Sequence, residues 1–442
     1  MRAGVVMVVG LALAGCGKSP SSNKTQRTGS ATVELVNEPV PTDGGRGGTS
    51  DEVEPNDGED VATPLAVGAT VRGRIDQDGD VDHFRIDVTQ AGVLALDVTG
   101  IEGVDLTVEL EDSSGTAIAK SDRGGARVRE GLPNFGVGVG RYIAVVRAKK
   151  VDPAKQPKPP KPKKGKPAPA VVAAAPAGPS PVYEITASVA PLAAGAEREP
   201  DDDRGTANDL ILGDTATGHI GWSGDVDAWK LSIETLSDKN AIDLELSAIE
   251  GVALTLELAD GIGQPLLTRK GPRGAKLVVR GVKPVLAQGA APFHYVTVRS
   301  DRSNPETGYQ LRVSENLVGP DAELEPNDTP EKAMAMPADR TTVKATWTTG
   351  DVDCFELAPT EAVRTLDLTL TTPGEVDFAV ELLVDGKSLA KADHPGKGVA
   401  EKLSGVAPAN GKVVIRVRAP DATASGEAAY TLVVQESVVA PQ

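Results

Sequence analysis

Carboxylates are the residues of this chain whose spacing invites chemistry. The tetrad Glu54-Pro55-Asn56-Asp57 recurs as Glu325-Pro326-Asn327-Asp328, and Glu199-Pro200-Asp201-Asp202 lies between them. A second motif, GDVD, follows each at the same distance. The steps from Glu54 to Asp80, from Glu199 to Asp225 and from Glu325 to Asp351 are all 26 residues. Asp82, Asp227 and Asp353 close the second motifs, and Glu52, Glu197 and Glu323 stand two residues before the first. Residues two apart share a face of an extended chain. The proline then turns the chain, and the Asn or Asp residues after it present oxygens from the turn. If this segment folds against the GDVD loop, five or six carboxylates converge, with Asp78 beside them in the first copy. Such a cluster repels itself unless a cation neutralises it or some groups stay protonated. Calcium takes six to eight oxygen ligands at 2.3–2.6 Å, mostly carboxylates and carbonyls. All eighteen residues are therefore candidate calcium ligands. Asp201, where the other copies have Asn, adds charge to the second set. The alternative is turn grammar, with Asn56, Asp57 and Asp80 bonding their own backbone. The stretch DQDGDVD (76–82) is not an EF-hand start, because Gly79 is fourth rather than sixth.

The elements that must position these groups read as strands. After each GDVD the chain alternates with period 2: Phe84, Ile86 and Val88; Trp229, Leu231 and Ile233; Phe355 and Leu357. IEGVDLTVELED (101–112) is nearly copied by IEGVALTLELAD (249–260), with a looser third version in GEVDFAVELLVDG (374–386). Each copy closes on two strand-like runs, read as a hairpin. All five tyrosines, Tyr142, Tyr183, Tyr295, Tyr309 and Tyr430, fall there and are expected to pack. Short strands, frequent turns and the lack of a helical pattern predict an all-β chain: three tandem β-sandwiches over 51–190, 197–316 and 321–437. Residues 149–181, rich in Pro and Lys, fall between the closing strands of the first copy. They are read as a hairpin insertion, extended and solvated. As the one basic segment, it is either an arm for an anionic polymer or headgroup or a loop without a partner.

Composition bounds function. The chain has 442 residues, a net charge of −17 and 3% aromatics. That balance argues against nucleic acid as a partner. No HExxH, GxSxG, phosphate loop or CxxC is present, so no enzyme activity is expected. His83, His219, His294 and His394 are not at matching positions and are expected at the surface. Cys354, beside Phe355 but on the opposite face, is a buried small residue or a reactive thiol. Trp222 and Trp347 either plug the sandwich ends or serve as exposed stacking platforms.

Arg2 and the apolar run to Leu13 read as a secretory signal over 1–15. Leu13-Ala14-Gly15-Cys16 resembles the lipobox of bacterial lipoproteins, which implies lipidation of Cys16 and stable membrane anchoring through several acyl chains. Residues 16–50 then form a flexible tether with a reach of about 30 Å, within which 33–41 reads as a short strand. With Cys16 lipidated, Cys354 has no disulfide partner. The pairing of ExEPND with GDVDxF, and the tyrosine-containing close, resembles the bacterial pre-peptidase C-terminal domain, related to the collagen-binding domains of clostridial collagenases. The resemblance covers nearly all of 52–437. It implies a jelly-roll sandwich on an exported protein, often appended to a peptidase. In the collagen-binding relatives the acidic residues of both motifs bind calcium. Collagen binding itself is not expected here, since aromatic residues are too scarce. The expectation is a non-catalytic lipoprotein exported to the bacterial cell envelope, at the outer membrane if the cell is Gram-negative. Its sandwiches would be calcium-stabilised modules binding an envelope or extracellular polymer or protein. The alternatives are a structural spacer or an accessory factor for a secreted peptidase.

Overall fold

The computed structural model describes residues 48–149 and 179–438, apart from 287–290 and positions 338, 340, 373, 375, 422 and 423. The signal, Cys16, the strand expected at 33–41, nearly all of the tether and most of the Pro/Lys segment lie outside the described residues. Among the described residues the one helical element is a three-residue 3-10 turn, Glu59–Val61. The rest of the regular structure is β, as the alternation predicts.

Among the described residues six sheets form three face-to-face pairs, each in a jelly-roll-like sandwich. In the first copy, one sheet runs Thr49–Asp51, Thr70–Gly73, Tyr183–Ala190, Gly92–Val98, Glu130–Val137. The other runs Thr63–Pro64, Val81–Val88, Gly140–Ala148, Leu106–Glu111, Ala117–Ser121. Leu94, Leu96 and Ile185 from one sheet meet Phe84, Ile86 and Val108 from the other in a single apolar cluster. The second copy repeats the plan around Trp229, Leu231, Leu256 and Leu311, and the third around Phe355, Leu368, Leu382 and Leu432. Burying side chains of this size contributes roughly 1.5–3 kcal/mol each, which suits chains that lean on their cores.

Consecutive strands mostly alternate between the two sheets, and this corrects one reading. The closing pair is not a hairpin. Phe293–Arg299 lies in one sheet between Val226–Ser232 and Thr255–Ala259, whereas Tyr309–Leu317 lies in the other between Thr215–Gly218 and Asn240–Leu246. The same split separates Gly140–Ala148 from Tyr183–Ala190. The strands that flank the Pro/Lys segment therefore belong to different sheets. Both faces of a sandwich are filled by strands whose partners are distant in sequence, so adjacency along the chain does not imply pairing.

The copies are joined edge to edge. Glu199 accepts at its carbonyl from Gly136 N–H (2.8 Å) and donates its own N–H to Asn134 O (3.0 Å). The acidic motif of copy two thus extends the edge strand Glu130–Val137 of copy one. Glu325 repeats this on the Leu277–Val282 strand, pairing with Gly281 O (3.0 Å) and Lys283 N (2.9 Å). Both tryptophans are packed rather than displayed. Trp222 lies against the apolar cluster of copy one. Trp347 is 2% exposed and donates Nε1–H to Asp351 O at 3.0 Å. Cys354 is buried with Leu383 and Val414 on the face away from the main core, and burial pushes its thiol up to about 12. His294 overturns the surface expectation. It is fully buried, its Nε2 accepts from Val285 N–H at 3.1 Å, and burial lowers its pKa.

Candidate metal centres

The two acidic motifs do meet, three times, by one local mechanism. The first glutamate of each set anchors across to a neighbouring strand. Glu52 Oε1 accepts from Arg74 N (2.7 Å), Glu197 Oε2 from His219 N (2.8 Å) and Glu323 Oε2 from Thr346 N (3.1 Å). The second glutamate precedes a proline through a cis peptide in all three copies. Its Oε2 accepts from the N–H two residues on: Asn56 (2.9 Å), Asp201 (2.8 Å) and Asn327 (2.7 Å). In the GDVD loop the glycine takes positive φ (91°, 87° and 82° at Gly79, Gly224 and Gly350), a conformation that costs other residues about 1–2 kcal/mol. That turn folds one oxygen of the next aspartate back onto the loop: Asp80 Oδ2 accepts from Asp76 N and Asp225 Oδ2 from Gly221 N (2.5 Å each), and Asp351 Oδ2 from Thr348 N (3.1 Å). The turn reading therefore holds for half of each of these carboxylates. It does not account for Asp225 Oδ1, which has no partner, whereas Asp351 Oδ1 also accepts from Val352 N (3.1 Å).

The second centre shows this most fully. Glu197, Glu199, Asp201, Asp225 and Asp227 are all at most 2% exposed. Glu197 Oε1, Glu199 Oε1, Asp201 Oδ1, Asp225 Oδ1 and both oxygens of Asp227 have no hydrogen-bond partner. Each buried oxygen left so costs on the order of 1–3 kcal/mol. Burial, then neighbouring carboxylates, push Glu199 and Asp225 up to about 9 and Asp201 to about 8, and raise Glu197 and Asp227 strongly. Four of these groups, Glu197, Glu199, Asp201 and Asp227, bring an oxygen each to within 4.8 Å of one another. Copy one adds Asn134, whose Nδ2 donates to Glu197 and whose Oδ1 is buried without a partner. Asp202 stays exposed at the rim. All donors are hard oxygens, the set that suits calcium or magnesium rather than the softer metals. The cluster can hold a metal ion.

The first centre is more open. Glu52, Glu54 and Asp82 converge, with burial raising Glu52 to about 7 and Asp82 to about 8. Asn56 is buried, donates to Glu52 Oε2 (3.4 Å) and Thr63 Oγ1 (3.3 Å), and leaves Oδ1 unpartnered, as does Asp82. Asp57 sits outside and accepts from Val81 N (3.3 Å). Asp78 is exposed in the loop.

The third centre gathers Glu323, Glu325, Asn327, Asp351 and Asp353, all buried, with Asp328 at its edge. Here a side chain foreign to the repeat enters. Arg269, on the Pro265–Lys270 strand of copy two, donates to Glu325 Oε1, Asp328 Oδ1 and Asp351 Oδ1 at 2.6 Å each. It opposes the rise that burial imposes on Glu325 and Asp351.

Sequence reasoning missed Arg269 and Asn134, because both reach in from the preceding copy. It also placed the tyrosines only as packing groups. Tyr183 and Tyr430 pack, and in addition donate their hydroxyls to Asp82 and Asp353 (2.6 Å for the latter). Tyr309 faces Asp227 in the same way and also accepts from Trp229 Nε1 at 2.9 Å. The recurrence of a tyrosine in each last strand was the available signal.

No family model and no curated protein matches the chain. Among solved structures, the pre-peptidase C-terminal domain of a Bacillus anthracis collagenase is similar at 16% identity. That match covers 29% of this chain and 94% of that one, with a TM-score of 0.20. The CUB1-EGF-CUB2 fragment of human MASP-1/3 is similar at 12% identity over 50% of this chain and 99% of that one, with a TM-score of 0.16. At these scores neither overlay carries an argument about this chain.

Proposed function

We propose that this chain is a non-catalytic, lipid-anchored envelope protein whose three sandwiches fold as separate domains and act as extracytoplasmic binding modules ordered by calcium. The observation that carries the cation reading is the second centre: five buried carboxylates with six partnerless oxygens, each otherwise pinned by the backbone or by packing. An ion at that centre would be held by Glu197, Glu199, Asp201, Asp225 and Asp227, and at the first by Glu52, Glu54, Asn56 and Asp82. Bound calcium would supply the positive charge that lets these groups ionise together at neutral pH. Calcium rather than magnesium is favoured by the number of protein oxygens, since magnesium keeps several waters. Millimolar calcium outside the cytoplasm matches the affinity range of extracellular modules, roughly 10⁻⁴–10⁻³ M. The lipobox at Cys16 supports the anchor.

A spacer role is the second reading. The edge-strand pairing at both junctions favours it, because backbone hydrogen bonds across a joint resist bending. Melting the purified full chain with calcium and then with excess chelator tests the cation reading. A calcium-dependent rise in melting temperature is expected, and no change at millimolar calcium would oppose it. Mass spectrometry of the N-terminal peptide tests the anchor: Cys16 without acyl chains in the exported protein would remove it.

A further inference from the structure

The two junctions follow one plan but differ in the side chains they bring to the acidic centre. The strands Leu106–Glu111 and Thr255–Ala259 are equivalent, from the matching IEGV runs. Val108 pairs with Ser121 in copy one, and Leu256 pairs with Arg269 in copy two. Val380 pairs with Ala392 in copy three. Serine, arginine and alanine thus occupy one structural position. Ser121 donates to Glu130 Oε2 at 2.6 Å, and among the described residues no salt bridge from copy one reaches the second centre. Arg269 crosses into the third centre, where it is 2% exposed and bridges three carboxylates. The oxygens it occupies, on Glu325, Asp328 and Asp351, are the third centre's own converging set. At the position of Asn134, copy two has Gly281, aligned by the bonds of Asn134 O to Glu199 and of Gly281 O to Glu325.

We infer that Arg269 is the resident cation of the third centre, which takes no divalent ion, and that its guanidinium locks copies two and three together without metal. A planar guanidinium donates to several carboxylates in fixed geometry and stays charged when buried. It therefore supplies to Glu325, Asp328 and Asp351 the positive charge that an ion would supply at the second centre, while Asn327 Oδ1 and Asp353 Oδ1 stay partnerless. The consequence is an asymmetric chain. The joint between copies one and two, whose centre has only Asn134 from its neighbour, loosens when divalent ions are withdrawn. The joint between copies two and three does not. The inference rests on the cation reading of the first two centres only for the ion count, and the exchange arm below is independent of it.

Calcium binding is counted on the purified full chain by flow dialysis, alongside Arg269→Ser, which copies the residue of the first repeat, and Glu325→Gln, which keeps Arg269 in place. Two ions are expected in the native chain and in Glu325→Gln, and three in Arg269→Ser. Three in the native chain, or a loss of one ion in Glu325→Gln, overturns the inference. Hydrogen exchange of peptides containing Lys283 and Glu325 is then followed in chelator. Native protection is expected to survive, and Arg269→Ser is expected to exchange at least tenfold faster. Equal protection in the two proteins overturns the latch. If the native chain binds no calcium while Arg269→Ser still loses protection, the cation reading fails and the latch stands. Should Arg269→Ser not fold, Glu325→Gln and the native exchange data in chelator still decide: early exchange at Lys283 and Glu325 refutes a metal-free lock.

Discussion

Replacing Glu199 by glutamine should have an effect on stability that depends on calcium. Glu199 is 1% exposed, and its pKa rises from the ordinary 4.5 to about 9, first through burial and next through Asp201. A raised carboxylate pKa means that the folded state holds a proton that the unfolded chain releases. Below pH 4.5 both states are protonated and nothing is lost. As pH climbs from 4.5 towards 9, stability falls by about 1.4 kcal/mol per unit, so at pH 7 the loss is about 3 kcal/mol. Glutamine keeps an oxygen for the Asp201 N–H, a 2.8 Å bond, and does not titrate. In chelator at pH 7 the variant should therefore be more stable than the native chain by up to about 3 kcal/mol, a shift on the order of 10 °C. In calcium the gap should narrow to about 1 kcal/mol. At about 2 mM calcium and a Kd of about 0.1 mM, an intact site gains about 1.8 kcal/mol, and the variant should lose most of that gain. The assay is urea unfolding of both proteins at pH 5 and pH 7, with calcium and with chelator. In chelator the difference should shrink at pH 5. Equal destabilisation by Glu199→Gln under all four conditions would refute the reasoning, since it would make Glu199 an ordinary structural hydrogen-bond acceptor.

Three further outcomes are expected. Tyr430→Phe removes the hydroxyl that donates to buried Asp353 at 2.6 Å, and should cost roughly 1.5–3 kcal/mol in urea unfolding, whereas Tyr142→Phe, whose hydroxyl serves an exposed Gly138 N–H, should cost less. Gly224→Ala meets no atom within 4 Å but must hold φ near 87°, so a loss of about 1–2 kcal/mol from backbone strain alone is expected, with weaker calcium stabilisation because Asp225 follows directly. Cys354, raised to about 12 by burial, should resist iodoacetamide at pH 8.5 in the native chain and react once the chain is unfolded; peptide mapping that finds native labelling at Cys354 would contradict its burial.

Much of the fold was legible because its determinants are local. Alternation after each GDVD fixed which face of Val81–Val88, Val226–Ser232 and Val352–Leu357 is buried, and the 26-residue step brought the right carboxylates together. Sheet membership was not legible. Phe293–Arg299 and Tyr309–Leu317 look like a hairpin in sequence, yet the first pairs with Val226–Ser232 and Thr255–Ala259 and the second with Thr215–Gly218 and Asn240–Leu246. Arg269 was hidden for a related reason: on the run PLLTRK it alternates like any exposed charge, and only the neighbouring copy makes its position buried. Aligning Ser121, Arg269 and Ala392 would have flagged a lone charge where the other copies carry small residues. His294 offered no such signal, since its acceptor role depends on the Val285 N–H brought up by a separate loop.

The most direct test of the account is diffraction from crystals of the chain grown in calcium, collected for anomalous signal. A peak is expected among Glu197, Glu199, Asp201, Asp225 and Asp227, with six to eight oxygens at 2.3–2.6 Å, and none at the third centre, where Arg269 should remain on Glu325, Asp328 and Asp351. A second centre holding only water, with its carboxylates rearranged to bond one another, would contradict it.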